Sequence, residues 1–420
     1  MNTIQDIHIH DMANPVITPE LRAALDGPID FPRHMTLQQL LDRARQEADG
    51  LSDFGDDAFR ERMEIILQSW YEDEGLTHGG RATLLTHAIR VMANRLRIED
   101  LLKRHPEILD IRIDRPIIIA GLPRSGTTHL VNWLARDTRL RSMELWEAEE
   151  PVPAQLTPPG EPDPRRQKTA DIWVPFGQLL PYMEAMHGME ASLIEEDNDL
   201  MYMDGLGQNW EWQARMPRWI DHYLNMDRTP CYAYEKKVLQ IMTWYKGPNR
   251  WLLKAPHHME NLGPIHNVFP DATLVVTHRD PVAVLRSLTA MLGYSDRIRR
   301  EPVDSPGLAK LWIARIETLL RGCIAERDLW SASQSIDVRF NEYMADQEGT
   351  LRKIYQMADL PLTQNAETAL LNYLTENPRH KHGRVIYDLE GAFQVNVNEL
   401  RERFDFYYEH FNVLRENVQQ

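Results

Sequence analysis

Residues 117–134 read "IIIAGLPRSGTTHLVNWL". A short β-branched run ends in glycine, a polar loop follows, and the apolar residues after it return at helical spacing. Strand, loop and helix in this order open a parallel α/β sheet. We therefore expect an α/β fold with a P-loop-type parallel sheet flanked by helices. Apolar runs at 250–256, 272–281 and 335–340 supply further strand candidates.

The loop within this stretch predicts a site for an anion. Gly121 and Gly126 have the glycine spacing of a Walker A loop. In such a loop a lysine follows and reaches the terminal phosphates of a nucleoside triphosphate, but here Thr127 and Thr128 follow. Backbone N–H groups at a helix N-terminus bind anions without that lysine, and Arg124 supplies a cation. The alternative is a tight structural turn.

A second candidate lies in "VVTHRDPVAVLRSL", residues 275–288. Arg279 ends a predicted strand, and Ser287 follows two turns into the next helix. The ligand crevice of an open α/β sheet lies at such strand ends. There an arginine gives a charge-assisted grip on a phosphate and a serine adds a hydroxyl donor. Taken alone, an arginine in this position more often forms a salt bridge.

Together, "PRSGTT" (123–128) and "RDPVAVLRS" (279–287) resemble the motifs of sulfotransferases that use 3′-phosphoadenosine 5′-phosphosulfate (PAPS). Similarity to the bacterial branch of these enzymes covers residues 115–390. Its landmarks are "LWE" (145–147), "IEEDN" (194–198), "LKAPHH" (253–258), "HRDP" (278–281) and "KHGRVIYDLE" (381–390). The chain has Ala255 where that branch usually has serine.

The resemblance implies how the cofactor is held. Arg279 and Ser287 would bind the 3′-phosphate, and a late basic loop with Lys381 and Arg384 would close over it, unless that loop is merely solvated. PAPS has no γ-phosphate, and the resemblance involves no magnesium, so no metal is expected. The 5′-phosphosulfate would lie on Arg124, Ser125, Gly126, Thr127 and Thr128.

Sulfuryl transfer needs cations that stabilise charge on the moving group and a base for the acceptor's proton. Arg124 and Lys254 are the predicted cations. His258 is the predicted base, because it matches the histidine of the branch's K-x-P-x-H pattern and histidine suits neutral pH. Glu147 and the acidic pair at 195–196 are the rival bases.

The domain prediction is a helical N-terminal extension over residues 1–110 and an α/β sulfotransferase domain over 111–420. Within the latter, 151–245 is the predicted acceptor-site segment. Its tryptophan and methionine residues fit an apolar pocket or, equally, a packed core. His187 either lines this site or is structural. We expect the acceptor to be a small, apolar molecule with a hydroxyl or amine group.

Composition and net charge limit the classes of partner that the protein can bind and the cellular compartment that it fits. The net charge of −16 argues against nucleic acid and against polyanionic acceptors. Two cysteines, Cys231 and Cys323, are too few for a disulfide framework, which indicates a reducing compartment. The N-terminus is not a secretory signal, and no apolar run approaches the roughly 20 residues of a membrane span. These features predict a cytoplasmic protein and leave open whether it forms a homo-oligomer.

Two other functions compete with this hypothesis. A P-loop kinase using a nucleoside triphosphate is disfavoured because no lysine follows Gly126 and no clear Walker B aspartate ends a strand. A non-catalytic phosphoadenosine-binding protein is disfavoured by the presence of Arg124, Lys254 and His258 together.

Overall fold

The computed structural model describes residues 5–417 except 159, 189, 248, 379, 380 and 382. The strands in these residues are β1 (Asp6–His8), β2 (Ile117–Gly121), β3 (Leu140–Arg141), β4 (Arg250–Ala255), β5 (Thr273–His278), β6 (Ser335–Arg339) and β7 (Arg384–Ile386). The helices before β4 are α1 (Pro19–Asp26), α2 (Leu37–Glu47), α3 (Ala58–Glu72), α4 (His78–Arg104), α5 (Thr127–Leu134), α6 (Leu145–Glu149), α7 (Pro164–Leu179), α8 (Asn198–Met201), α9 (Pro217–Asn225) and α10 (Thr229–Lys246). The helices after β4 are α11 (Leu262–Val268), α12 (Pro281–Asp296), α13 (Ser305–Glu326), α14 (Phe340–Ala345), α15 (Gln347–Met357), α16 (Gln364–Glu376), α17 (Val397–Arg403) and α18 (Asp405–Phe411).

The central sheet has the strand order β3-β4-β2-β5-β6, and all of its neighbouring strands are parallel. Successive side chains on a strand point to opposite faces. Ile118 of β2 therefore joins the larger core on one face, while Ile117 and Ile119 join a smaller core on the other. Both faces are buried by helices, as a parallel sheet requires. The predicted α/β fold is confirmed.

The N-terminal region is helical, as predicted, and it shares the larger core with the sheet. Thr36 and Gln39 form a reciprocal capping box that starts α2, and Leu40 of α2 lies in the same core as Leu96 of α4. Arg95 of α4 donates a hydrogen bond to Asp204 at 2.9 Å. The helices are thus fixed against the segment that precedes α9.

A separate two-stranded sheet joins residues near the N-terminus to a late segment of the chain. β1 pairs in parallel with β7, with Asp6 opposite Arg384. The late segment that the sequence marks as a cofactor loop is therefore held by the N-terminus. Among the described helices, none is both long enough and apolar enough to cross a bilayer.

Candidate active site

The loop between β2 and α5 begins at a glycine that is closely surrounded by side chains. A Cβ on Gly121 would lie 1.8 Å from Oγ1 of Thr277, so a larger residue would force these side chains to move. Arg124 and Gly126 have φ angles of 65° and 89°, in the left-handed region that favours glycine. These two residues turn the chain from β2, the central strand, into α5 at the carboxyl edge of the sheet.

The loop leaves the N-terminus of α5 open. Gly126 is the N-cap of α5 and provides no side-chain cap, and the first N–H groups of a helix have no partner within it. The Ser125 hydroxyl points inward, donating to Leu122 O at 2.6 Å and lying 2.9 Å from Oγ1 of Thr277. Thr127 is buried and Thr128 is exposed. The Ser125 side chain thus stabilises the loop, and the backbone N–H groups of the loop are the donors that can bind an anion.

Three of the residues singled out from the sequence meet beside this loop. Arg124 Nε donates to Ser287 Oγ at 2.9 Å, and Arg279 Nη1 donates to the carbonyl of Arg124 at 2.7 Å. Ser287 lies in the second turn of α12, whose N-cap is Asp280. The strand-end arginine and the helix serine therefore converge, as their spacing predicts.

Arg279 also has a partner that the sequence did not suggest. Its Nε and Nη2 donate to the two carboxylate oxygens of Glu416 at 2.7 and 2.8 Å. Its guanidinium lies over the ring of Phe340, 4.0 Å from the centroid. Glu416 follows α18 near the end of the chain, and no motif marks it.

Lys254 reaches the same edge from β4, the neighbour of β2. Its Nζ is 2.6 Å from Glu196 Oε1 and 3.5 Å from Thr128 Oγ1 at the start of α5. The side chain is 2% exposed, and a buried charge needs a partner of opposite sign. Glu196 provides that charge and fixes the ammonium group beside the loop.

His258 is buried in a set of groups that occupy both of its ring nitrogens. Nε2 lies 2.9 Å from Asp197 Oδ2, and Nδ1 lies 2.9 Å from the hydroxyl of Tyr232. Asp197 Oδ1 also accepts the backbone N–H of Lys254 at 2.9 Å. Burial alone would raise the pKa of Asp197, but the charge of His258 and its hydrogen bond hold that pKa below the ordinary value. His258 thus positions the end of β4.

Glu195 differs from Glu196 and Asp197 because it forms no ion pair among the described residues. It is half-buried, and its Oε1 accepts the N–H of Glu196 at 2.9 Å. Among the described residues, Oε2 has no hydrogen-bond partner. Burial, together with the charge of Glu196, raises the pKa of Glu195 to about 7. A carboxyl group in this state can take up or release a proton near neutral pH.

Glu147 lies in an ion-pair network. Its Oε1 is 2.5 Å from Lys246 Nζ and 3.3 Å from Arg141 Nη2. Its Oε2 accepts the N–H of Glu144 at 3.1 Å as part of a capping box. Each described hydrogen bond of this carboxylate leads away from the β2–α5 loop, so the geometry indicates a structural group.

The late basic loop contacts the site through a tyrosine. Arg384 pairs with Asp6 across the small sheet at 2.9 Å, and Lys381 Nζ lies 3.4 Å from Asn377 Oδ1. Neither has a described contact with Arg279 or Ser287. Their predicted role on the 3′-phosphate stays a prediction, and His380 and His382 of this loop lie outside the described residues. Instead, Ser287 Oγ donates to the Tyr387 hydroxyl at 3.2 Å.

The predicted acceptor-site segment, residues 151–245, contains both buried core residues and residues that lie beside the loop. Trp210, Trp219 and Met216 are fully buried in the larger core, so packing explains them. Arg124 Nη1 donates to the carbonyl of Met186 at 2.5 Å, which brings the chain after α7 onto the loop. His187 lies beside these cations: burial, and then the charges of Arg124 and Lys254, lower the pKa of His187 to about 4.

Helix α7 in the same segment is largely solvent-facing. Ile172 and Val174 are 44% and 57% exposed, and Trp173 packs edge-on against Phe176 with ring centroids 5.4 Å apart. This apolar surface directly precedes the residues that contact Arg124.

The chain has recognisable relatives. The model of the sulfotransferase family matches residues 116–364. The omega-hydroxy-beta-dihydromenaquinone-9 sulfotransferases Stf3 of Mycobacterium bovis and Mycobacterium tuberculosis are each 26% identical over 280 residues, which is 64% of this chain and 69% of theirs.

Two crystal structures share its fold. The sulfotransferase STF9 from Mycobacterium avium superposes with a TM-score of 0.83 at 26% identity, over 92% of this chain and 100% of that one. STF1 from Mycobacterium tuberculosis H37Rv gives 0.75 at 27% identity, over 89% and 99%.

Proposed function

The chain belongs to the sulfotransferase family, and we propose that it transfers the sulfuryl group of PAPS to the hydroxyl group of a small, apolar acceptor. One observation carries the proposal. Arg279 and Ser287, predicted as partners from their spacing, are joined through Arg124 by hydrogen bonds of 2.7 and 2.9 Å. An arginine–serine pair beside an open helix N-terminus fits a nucleotide with phosphate groups at two positions.

The residues at this edge fit PAPS better than they fit ATP. The uncapped N-terminus of α5 offers backbone donors for a 5′-phosphosulfate, and Arg279 with Ser287 offers donors for a 3′-phosphate. Lys254, on a strand, is 2% exposed and paired with Glu196. It therefore faces the start of α5 and does not extend towards a chain of three phosphates.

When bound, PAPS supplies the activated sulfuryl group. Arg124, in the loop, and Lys254, whose Nζ lies 3.5 Å from Thr128 Oγ1, would place positive charge beside the N-terminus of α5, where negative charge grows on the leaving phosphate. Fixed donors of this kind in a water-poor site commonly contribute more to the rate than any other single effect. Glu196 holds Lys254 and Ser287 holds Arg124, so both cations are positioned in advance.

We assign the general base to Glu195 in place of His258. His258 has both ring nitrogens engaged, by Asp197 and Tyr232. Glu195 has an open oxygen and a pKa of about 7, the value at which a base works best near neutral pH. It would take the proton of the acceptor hydroxyl as that oxygen attacks sulfur.

The acceptor proposal rests on the surface of the segment 151–245. Its helix α7 exposes apolar side chains, Ile172 and Val174 among them, and Met186 links it to Arg124. Apolar walls with few polar groups are typical of sites for lipid-like ligands. The Stf3 relatives are named for a hydroxylated menaquinone, which is an acceptor of this kind. A long-chain or isoprenoid alcohol is the acceptor class to test.

Thermal unfolding with matched concentrations of PAP (the desulfated cofactor), AMP and ATP with magnesium tests the cofactor. At 100 times its Kd, PAP should raise the unfolding midpoint by about 2–4 °C, more than AMP does. Mass spectrometry of products formed from PAPS and a panel of alcohols then tests transfer. A shift with ATP and magnesium but none with PAP would overturn the proposal in favour of a kinase.

A further inference from the structure

Glu416 already occupies the arginine assigned to the 3′-phosphate, and we propose that its carboxylate competes with that phosphate and so sets the affinity for the cofactor. The inference rests on the proposed function, because it takes Arg279 as a 3′-phosphate ligand. It adds to that function a residue from the C-terminal segment, outside the recognised motifs.

The contact between Glu416 and Arg279 has the geometry of phosphate recognition. Nε and Nη2 donate in parallel to the two carboxylate oxygens at 2.7 and 2.8 Å. The remaining edge of the guanidinium, through Nη1, is used by the carbonyl of Arg124. The outer edge can hold one oxyanion in this two-point manner. A phosphate that binds there must therefore displace the carboxylate.

The segment after α18 that carries Glu416 is held in place by contacts other than those of the Glu416 carboxylate. The N–H of Glu416 donates to Asp280 Oδ2 at 2.7 Å, and its carbonyl accepts from Arg401 at 3.0 Å. Upstream, the N–H of Val413 donates to the carbonyl of Tyr408 at 3.1 Å. The Glu416 side chain is 33% exposed, against 15% for Arg279. The carboxylate can thus rotate into solvent while the backbone stays docked.

The exchange favours a ligand with a 3′-phosphate. A largely buried guanidinium without a partner is costly, so Glu416 keeps Arg279 paired and oriented in the free protein. A phosphate monoester carries a charge of about −1.5 to −2 at neutral pH, against −1 for the carboxylate, so it can take the place of Glu416. The apparent affinity for PAP is the intrinsic affinity multiplied by the fraction of molecules in which Arg279 is free of Glu416. AMP has no 3′-phosphate and leaves the pair intact.

Calorimetric titration of the full chain with PAP and with AMP tests this competition. Glu416→Gln removes the charge and keeps the side-chain size and the backbone contacts, and it should tighten PAP binding about ten-fold with AMP binding unchanged. Glu409→Gln, an exposed residue of α18, removes the same charge without touching Arg279. It is the matched control and should bind PAP as the unmodified protein does.

The double variant completes the test. In an Arg279→Ala background, Glu416→Gln should no longer affect PAP binding, because the two residues act through one contact. PAP binding by Glu416→Gln equal to that of the unmodified protein would overturn the inference. An equal gain for AMP, or a gain that persists without Arg279, would also overturn it, since either result means a general charge effect. The proposed function is judged separately, by whether the unmodified protein prefers PAP to AMP.

Discussion

Two clusters of charged residues lie at the same edge of the sheet, and they differ in how completely they are satisfied. Arg124, Arg279 and Ser287 are bound to a carbonyl, a surface carboxylate and one another, contacts that an incoming anion can replace. Asp197 and His258 are buried, and the protein alone satisfies them. The first cluster is therefore suited to binding a ligand, and the second to holding the strand that carries Lys254.

This difference is the reason that we propose Glu195 as the base, with His258 as the alternative that the variants below test. Polar groups that a protein satisfies internally stabilise the fold, whereas groups left with open or exchangeable partners are available to a substrate. By that criterion Glu195 belongs with the functional groups, although it is adjacent in sequence to Glu196 and Asp197. Three variants and one pH profile test whether the two clusters differ in this way.

The largest effect is expected from removing the base. Glu195→Gln should lower kcat by about 10²–10⁴-fold, the usual contribution of a general base, with PAP affinity unchanged. Steady-state kinetics with PAPS and calorimetry with PAP measure the two quantities. Glu190→Gln, an exposed residue of the same segment, serves as the control. Near-normal turnover in Glu195→Gln would return the base to the other candidates.

His258→Ala should act on stability. Removing His258 leaves the buried carboxylate of Asp197 without this partner, which costs about 3–5 kcal/mol and lowers the midpoint of a chain of this length by about 3–6 °C. Differential scanning calorimetry measures this change. Turnover by the folded fraction should persist, because His258 has no ring nitrogen free for the acceptor. If turnover vanished while the midpoint stayed unchanged, the division between the two clusters would be wrong.

Arg279→Ala should weaken PAP binding by about 1.5–3 kcal/mol, the contribution of a hydrogen bond to a charged group. AMP binding should change little, because the lost contact is to the 3′-phosphate. Calorimetric titration provides both values. Arg321→Ala, which removes an exposed arginine paired within α13, controls for the loss of one positive charge. An equal loss for PAP and AMP would contradict the assignment of this residue.

The smallest effect is a dependence on pH. Burial raises the pKa of Glu195 to about 7, and a base must be ionised to accept a proton. The ratio kcat/KM should therefore be constant above that pH and fall about ten-fold for each unit below it. Measuring kcat/KM between pH 5 and 9 tests for this decrease at low pH, which should disappear in Glu195→Gln. If the decrease remained in the variant, the titration would belong to another group.

Local patterns were enough to predict the loop and the convergence of Arg279 with Ser287. One strand end, one turn and two helical turns fix the relation of these residues, so the sequence carries it directly. Lys254 was also predictable, because neighbouring parallel strands end at the same edge of a sheet.

The state of His258 and the partner of Arg279 could not be predicted in this way. Tyr232 and Asp197 approach His258 from other parts of the chain, and Glu416 lies 137 residues from Arg279. Such contacts depend on how distant helices pack, and no periodicity or motif records them. The pair at 195–196 could be recognised as acidic, but only the fold shows that Glu196 pairs with Lys254 and that Glu195 has no such partner among the described residues.

A crystal structure of the protein with PAP would show where each phosphate of the nucleotide binds. We expect the 5′-phosphate at the N-terminus of α5 and the 3′-phosphate bound by Arg279 and Ser287. We also expect the carboxylate of Glu416 to be turned away into solvent. PAP bound with its 3′-phosphate remote from Arg279, and the contact of Arg279 with Glu416 intact, would contradict both the site and the competition proposed for it.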